Sequence, residues 1–364
     1  MIEILVYGAG DNGKTLAERV KTLYSSEVKI KAFIDKNKTG EVMGIPVISL
    51  DSVNGYSLPV VISIEKRQIV MAVYKELKSI GVKDIFMFLN RHNPRYNNSF
   101  FEGECSELTG NEESLLPHIE VHAVDYCNLN CKACIHYSGL YKKEEFQKEI
   151  VFSDIKEISN LTKDIISFYI LGGEPLLRED LGDVIKYARE CLPKSDIQVL
   201  TNGLLVSERF VDLWTVMREA NVTLTVSEYE PTSHKSDEII KVLQNNKVPY
   251  IIRPYNYKDK FIKTIALSAD SQYKHTCICD GCVNVYKGTI ARCPAVMYLE
   301  KLNSEFGIEL PEDGIYSLED FTNAKELYAK MVEKIPLCNH CVEYTVDWGQ
   351  CAAVRKLEDF VITE

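Results

Sequence analysis

Apolar runs alternate with amphipathic stretches along the first 90 residues of the chain. Between the first two runs, Leu16, Val20 and Leu23 recur at the spacing of one helix face. A second amphipathic stretch covers residues 67–80. The apolar runs that predict strands cover residues 2–7, 29–34, 59–64 and 84–89. Strands and helices in this order predict a small parallel sheet with helices on its faces.

A polar segment without periodicity, residues 93–117, follows this region, and we interpret it as a linker. Beyond it, apolar runs predict strands at about 119–124, 165–171, 197–201, 222–226 and 250–253. Helical patterns fall between them, at about 154–161, 180–191, 208–220 and 237–245. Five or six such units predict a full or partial βα barrel, whose chemistry lies at the C-terminal ends of its strands.

The composition is that of a globular protein of two or three domains, with 46% apolar and 26% charged residues in 364. The net charge of −11 has the wrong sign for a protein that binds the phosphates of nucleic acid. No apolar run approaches the roughly 20 residues that span a bilayer, and the first residues lack the positively charged leader of a signal peptide. We therefore expect a cytoplasmic α/β protein without a nucleic-acid or membrane partner.

Cysteine is the exception to this ordinary composition, because the chain holds 12 and most are clustered. Three lie between Cys127 and Cys134, and seven between Cys277 and Cys351. A chain of this length does not need disulfides to stabilise its core, and clustered thiols in a reducing compartment usually bind metal. We interpret the remaining two, which stand apart, as core or linker thiols. They are Cys105 and Cys191.

Cys127, Cys131 and Cys134 follow the first predicted strand of the barrel and form a C-x3-C-x2-C loop. Structural zinc usually takes four ligands in two separated pairs. A four-iron cluster held by three cysteines instead leaves one iron open to an external ligand, which suits a reaction centre. We therefore expect a [4Fe–4S] cluster at these three residues. A zinc site completed by His136, or three unligated thiols, is the alternative.

This loop resembles that of the radical S-adenosylmethionine (SAM) enzymes, and a second motif lies where such an enzyme has it. Gly172, Gly173 and Glu174 end the second predicted strand of the barrel. Glycines there let the main chain approach a ligand, and Glu174 can accept a hydrogen bond from an ammonium group. In the family this motif binds the amino group of SAM. The resemblance covers residues 119–253.

Polar groups at the next two strand ends are where related enzymes contact the ribose of the cofactor or the substrate. In this chain they are Thr201, Asn202 and Ser227. The sequence differs from the family pattern at Ala133, where many members carry an aromatic residue. We expect the adenine ring to stack on His136 or Tyr137 instead.

The resemblance implies a mechanism as well as a site. The cluster on Cys127, Cys131 and Cys134 would receive one electron from a reductant such as flavodoxin or ferredoxin and pass it to SAM. SAM would then cleave to methionine and a 5′-deoxyadenosyl radical, which abstracts a hydrogen atom from the substrate. The protein contributes binding, orientation and the exclusion of water.

The C-terminal cysteines resemble the auxiliary-cluster extension of this family, known as a SPASM or twitch domain. The resemblance lies in Gly288-x4-Cys293 and in the Cys338-x2-Cys341 pair downstream. Only Cys351 follows that pair, which favours one auxiliary [4Fe–4S] cluster over two. The alternative is a structural zinc on two cysteine pairs. The ligands expected for the cluster are Cys282, Cys293, Cys338 and Cys341, with Cys277 or Cys279 as substitutes.

Gly8, Gly10 and Gly13 lie between the first strand and the first helix, and Asp35 ends the second strand. This is the context of a dinucleotide-binding loop, in which the glycines admit a phosphate and the carboxylate binds a ribose hydroxyl. The alternative is a docking domain whose glycines serve turn geometry alone.

Residues 33–35 and 44–48 resemble the small N-terminal domains of bacterial sugar acyltransferases and related polysaccharide-biosynthesis proteins. The resemblance implies a Rossmann-like domain that binds a nucleotide or a nucleotide sugar.

The sequence therefore predicts a Rossmann-like domain, a linker, a radical SAM partial (βα)6 barrel and an auxiliary-cluster domain. Their bounds are 1–92, 93–117, 118–270 and 271–364. The leading hypothesis is oxidation or epimerisation of a carbohydrate or nucleotide sugar in polysaccharide biosynthesis. A peptide- or protein-modifying radical SAM enzyme is the second hypothesis, and a non-enzymatic iron–sulfur redox sensor is the third.

Overall fold

Two large sheets and one two-stranded sheet organise the described part of the chain. The structure, a computed structural model, describes residues 1–92, 99–111, 113–143, 147–255, 261–269, 277 and 283–363. One compact unit comprises Met1–Pro117 together with Asp164–Ser167 and Lys194–Asp196, and the second comprises the rest of the chain from His118 onward.

The first sheet is mostly parallel. Its strands are β1 (Ile2–Tyr7), β2 (Val28–Ile34), β3 (Gly40–Val42), β4 (Ile45–Ile48), β5 (Val60–Ile62), β6 (Ile85–Phe88) and β7 (Cys105–Glu107). Its helices are α1 (Asp11–Leu23), α2 (Arg67–Ser79) and α3 (Phe100–Glu104). The strand order is β3-β4-β2-β1-β5-β6-β7, with parallel pairing from β4 to β6 and antiparallel pairing at both edges. The predicted parallel sheet is confirmed.

Helix α1 packs on this sheet through the apolar face that its periodicity predicts. Leu16, Ala17 and Val20 are buried in one cluster with residues of β1 and β2. Close packing of helix on strand leaves no space for a side chain at Gly13, where a Cβ would lie 2.1 Å from the carbonyl oxygen of Gly8. The glycine at position 13 is therefore required by the packing itself.

Three short strands of the first sheet, β3, β4 and β7, were not predicted from the sequence. The segment 93–117, predicted to be a linker, contains α3 and β7, and β7 pairs with β6. Strand β7 has only three residues, which is too short to show alternation of apolar and polar positions. On α3 the fully buried Phe100 is a single apolar anchor in a polar segment, so it gives no periodic signal. The β3–β4 hairpin turns at Met43 and Gly44, both with positive φ, as a two-residue hairpin turn requires.

The second sheet carries the βα units. Its strands are β8 (Leu116–Val124), β9 (Ile165–Gly172), β10 (Asp196–Thr201), β11 (Thr223–Ser227), β12 (Tyr250–Arg253), β14 (Asn284–Tyr286), β15 (Thr289–Ala291) and β16 (Ile315–Ser317). Two further strands, β13 (Phe261–Ile265) and β17 (Cys341–Val346), lie outside this sheet. The helices are α4 (Lys148–Leu161), α5 (Leu181–Cys191), α6 (Val211–Glu219), α7 (Glu230–Ser233), α8 (Ser236–Asn245), α9 (Pro294–Met297), α10 (Leu299–Phe306) and α11 (Ala324–Met331). Every strand and helix predicted for residues 119–253 is present.

This sheet has the order β12-β11-β10-β9-β8-β14-β15-β16, and β13 pairs separately with β17. Strand β14 runs parallel to β8, and β15 and β16 are antiparallel additions. The first and last strands in this order do not pair with each other, so the described strands form an open sheet and not a closed barrel. An open sheet is what a partial barrel predicts. The mixed α/β fold class is confirmed. No helix in the described part of the chain is long and apolar enough to cross a membrane.

Candidate active site

The three-cysteine loop leaves the C-terminal end of β8. Two residues within it, Asn130 and Ala133, have positive φ values of 55° and 57°, so the chain reverses twice within a few residues. As a result Cys127, Cys131 and Cys134 all line one cavity of about 300 Å³. A loop wound in this way brings three sulfur donors to one space.

The chemistry of these thiols fits an iron–sulfur cluster. Burial raises the pKa of Cys127 to about 11 and raises that of Cys131 as well, and the neighbouring thiolate charges raise both further. The thiolate form therefore requires a positively charged group among the sulfurs, and iron is such a partner for soft sulfur ligands. Among the described residues no three His, Cys, Asp or Glu side chains are arranged to hold a single metal ion.

Gly172 and Gly173 line the same cavity and lie against the end of β8. The main-chain N–H of Gly173 donates to the carbonyl oxygen of Val124 at 2.6 Å. A Cβ at Gly173 would lie 2.0 Å from the carbonyl oxygen of Tyr126, and one at Gly172 would lie 2.3 Å from that of Val124. The glycines are thus required by close contact with the strand that begins the cysteine loop.

Glu174 is fully buried, and its carboxylate holds the end of β10 in place. It accepts hydrogen bonds from the hydroxyl of Thr201 at 2.7 Å, the N–H of Asn202 at 2.8 Å and the N–H of Leu176 at 3.0 Å. Burial raises the pKa of Glu174 to about 7, and these three donors oppose the rise because they stabilise the charged form. The observed role of Glu174 is therefore positioning. Its direct contact with SAM stays a prediction.

The predicted residues at the other strand ends reach the cavity. Thr201, Asn202 and Ser227 all line it. The side-chain amide of Asn202 donates to the side-chain oxygen Oδ1 of Asn128 at 2.8 Å and approaches the Cys127 sulfur at 3.7 Å. The ends of β8, β9, β10 and β11 thus contribute to one site, as the barrel prediction requires.

The structure separates the two residues proposed to stack on adenine. Tyr137 is 2% exposed and packs edge-on against Phe360, in a core away from the cavity lining. His136 lines the cavity. Sequence reasoning missed two further aromatic residues of the lining, Tyr229 and Phe261, whose ring centroids lie 5.6 Å apart. Tyr229 follows β11 and Phe261 begins β13, so no local motif connects them.

A buried polar group on β8 precedes the cysteine loop. His122 is fully buried, and its Nε2 lies 2.8 Å from a carboxylate oxygen of Asp125. The other oxygen of Asp125 accepts a hydrogen bond from the Tyr286 hydroxyl at 3.1 Å. Burial lowers the pKa of His122, while the Asp125 carboxylate opposes the change. Burial therefore favours the neutral form of His122.

Four C-terminal cysteines also lie near one another. Burial raises the pKa of Cys293 to about 11 and that of Cys341 to about 12, and the thiolate charges of Cys277 and Cys338 raise both further. The Arg292 guanidinium approaches the Cys277 sulfur at 3.8 Å. Two of the predicted candidates, Cys279 and Cys282, lie outside the described residues, and Cys277 is the candidate seen beside the other three.

In the first unit, Asp35 is bonded to its own loop. One carboxylate oxygen accepts the Ala9 N–H at 2.9 Å, and the other accepts the N–H groups of Asn37 and Lys38 at 2.9 and 3.0 Å. Asp35 therefore stabilises the turns at the ends of β1 and β2, which is one reason for an aspartate at this position. Gly8 has a φ of 105°, whereas a Cβ at Gly10 would meet no atom within 4 Å. Binding of a ligand by Gly8, Gly10, Gly13 and Asp35 stays a prediction.

Comparisons with known proteins agree with the geometry of the second unit. The sequence model described as "Radical SAM superfamily" matches residues 121–286. The GTP 3′,8-cyclase of Aquifex aeolicus is 28% identical over 127 residues, which are 34% of this chain and 38% of the cyclase. That of Alkaliphilus metalliredigens is 32% identical over 93 residues, 25% of this chain and 29% of the cyclase. The matches thus span less than two fifths of these relatives.

Solved structures of similar chains include BtrN in complex with AdoMet and 2-DOIA, at 18% identity and a TM-score of 0.41. That match covers 64% of this chain and 99% of BtrN. Another is anSMEcpe with bound AdoMet, at 22% identity and a TM-score of 0.31, over 37% of this chain and 42% of that one. Residues 121–286 of this chain, which begin within β8 and include the three-cysteine loop, form a radical SAM domain.

Proposed function

We propose that this protein is an enzyme that cleaves SAM reductively and uses the 5′-deoxyadenosyl radical to remove a hydrogen atom from its substrate. One observation carries the proposal, namely that a cysteine trio and the polar ends of three further strands share a single cavity. The residues concerned are Cys127, Cys131, Cys134, Gly172, Gly173, Thr201, Asn202 and Ser227.

Each group of residues has a distinct task in this proposal. The three thiolates would hold a [4Fe–4S] cluster, which when bound supplies one electron and an open iron for SAM. Gly172 and Gly173 line the cavity, and their main chain would bind the ammonium group of SAM. Thr201 and Asn202, fixed by the buried carboxylate of Glu174, offer polar groups to a ribose or a carboxylate.

A cavity built in this way favours an enzyme over a redox sensor. A sensor needs a cluster that is bound and reduced, but it does not need polar groups from three neighbouring strands around the space beside the cluster. We propose a small electron carrier such as flavodoxin or ferredoxin as the reductant.

The C-terminal thiols would hold one auxiliary [4Fe–4S] cluster. Four ligands suffice for such a cluster, and the described candidates that influence one another electrostatically are Cys277, Cys293, Cys338 and Cys341. Cys282, the first choice from sequence, lies outside the described residues and stays a prediction. An auxiliary cluster can accept or return an electron, which suits oxidation or epimerisation of a substrate.

For the substrate we propose a carbohydrate, in the form of a nucleotide-linked sugar used in polysaccharide assembly. The support is the first unit, whose parallel sheet reverses its strand order beside β1, at the loop that carries Gly10. Ligands of open parallel sheets bind at such a position. Nucleotide sugars should raise the melting temperature of the intact protein, and free peptides should not. Stabilisation by peptides alone would favour the peptide-modifying hypothesis.

The activity itself is tested on anaerobically reconstituted protein. With dithionite and SAM the protein should release 5′-deoxyadenosine, and the Cys131→Ala variant should release none. Cys191→Ala, on α5 and outside the cavity, is the matched control and should retain the activity. Equal release by wild type and Cys131→Ala would refute the proposal.

A further inference from the structure

Residues 348–351, here termed the strap, run antiparallel to the cysteine loop. Cys131 and Gln350 form a β-bridge. On either side of it, the Lys132 N–H donates to the carbonyl of Gly349 at 2.8 Å, and the Cys351 N–H donates to the carbonyl of Asn130 at 2.9 Å. The strap therefore forms hydrogen bonds with main-chain groups of the loop that lie outside the helices and strands.

Further contacts hold the loop from the same side. The side-chain amide of Gln350 donates to the Leu129 carbonyl at 2.8 Å. The N–H of Ala133 donates to the carbonyl of Asp359 at 2.7 Å, and the Asp359 carboxylate pairs with the Lys132 ammonium at 3.3 Å. Residues 129–133 are consequently bonded at almost every position, which fixes where the sulfur of Cys131 lies relative to the strap.

Trp348 begins the strap and directs its one polar atom at this sulfur. The indole Nε1 donates to Sγ of Cys131 at 3.3 Å, within the range of a hydrogen bond to sulfur. The ring is half-buried, and its centroid lies 6.1 Å from that of Tyr229, which lines the cavity. The donor is thus held by neighbouring rings as well as by the strap.

We propose that Trp348 is a positioning residue that raises the reduction potential of the cluster bound by Cys127, Cys131 and Cys134. The inference rests on the proposed function. A hydrogen bond to a cluster sulfur stabilises negative charge there, and one-electron reduction of the cluster increases that charge. The reduced state is therefore favoured, and a cellular reductant of given strength reduces a larger fraction of the protein.

The test is a redox titration of the reconstituted full chain, monitored by electron paramagnetic resonance. The signal to follow is that of the reduced cluster that responds to added SAM. Trp348→Phe keeps an aromatic ring and removes the N–H. At a fixed ambient potential we expect its ratio of reduced to oxidised cluster to fall about tenfold, equivalent to about 59 mV for one electron. Trp348→His, which retains a ring N–H, should recover part of the loss.

Tyr344→Phe, on the exposed side of β17, is the control and should titrate as wild type. Where Trp348→Phe binds less iron, 3-benzothienylalanine at position 348 keeps the shape of the indole and replaces only the N–H with sulfur. The same midpoint in wild type and in iron-replete variants without the N–H would overturn this inference alone. A wild-type protein with no SAM-responsive cluster signal would overturn the proposed function together with it.

Discussion

The carboxylate of Glu174 accepts the main-chain N–H of Asn202 at 2.8 Å, so the residue that follows β9 fixes the residue that follows β10. Both residues belong to motifs that sequence analysis assigned separately to SAM. The structure connects them, because Asn202 reaches the cavity and Glu174 supports it from a fully buried position. Removal of the carboxylate should therefore affect binding through Asn202 and Thr201.

Glu174→Gln should weaken SAM binding about tenfold. The amide nitrogen that replaces one carboxylate oxygen is a donor and meets other donors, and a buried group left unsatisfied costs about 1–3 kcal/mol. Calorimetric titration of the reconstituted protein with SAM measures the effect. Glu179→Gln, an exposed carboxyl on the same segment, is the matched control and should bind SAM as wild type. Unchanged affinity in Glu174→Gln would contradict the positioning role.

Gly173→Ala should prevent the cluster from assembling. Its Cβ would lie 2.0 Å from the carbonyl oxygen of Tyr126, in the main chain that leads into the cysteine loop, so the backbone itself must move. Iron content after reconstitution and the melting temperature should both fall. Gly182→Ala on α5 is the control, since its Cβ would lie 3.8 Å from the Val216 side chain of α6, an ordinary contact distance, and alanine favours the helix by about 0.5–1 kcal/mol. A fully loaded Gly173→Ala protein would contradict the packing argument.

His122 should make the stability of the protein depend on pH. Burial lowers its pKa in the folded protein, so its contribution is complete above the ordinary value of about 6.5 and is lost as the pH falls through that region, where the unfolded chain takes up a proton. The difference in unfolding free energy between wild type and His122→Asn should therefore shrink between pH 7.5 and pH 5. Urea unfolding at several pH values measures it. His234→Asn, at an exposed position, is the control variant.

Cys277→Ala should halve the iron content of the reconstituted protein. Two [4Fe–4S] clusters give about eight irons per chain, and loss of one ligand of the auxiliary cluster should leave about four. The Cys191→Ala control should keep about eight. About four irons together with bound zinc in wild type would instead identify the C-terminal thiols as a structural zinc site.

The sequence predicts the longer strands well because most of their residues are apolar and buried, as in β9, where six of eight residues are buried. It also predicts the cysteine loop and the strand ends, because parallel strands bring their C-terminal ends to one edge. The strap is different. The Asn130 side chain contacts the Cys351 carbonyl across 221 residues of sequence, and no local periodicity encodes such a pairing.

The same limit explains the misassigned linker and the role of Glu174. Strand β7 is defined by its pairing with β6, and Phe100 is buried in a cluster that includes Phe88 of β6. Neither contact can be predicted from the residues of the segment alone. For Glu174, the motif indicates a carboxylate near SAM, but which donors surround it depends on Thr201 and Asn202, 27 and 28 residues later.

The bonding of the strap also has a consequence for biosynthesis. The N–H groups of Lys132 and Ala133 find their acceptors on Gly349 and Asp359, more than two hundred positions further along the chain. While the polypeptide emerges from the ribosome, the first sheet can form from neighbouring segments, but the cysteine loop cannot reach its bonded conformation. The bonded conformation of the cysteine loop is therefore reached only after Gly349 and Asp359 have been translated.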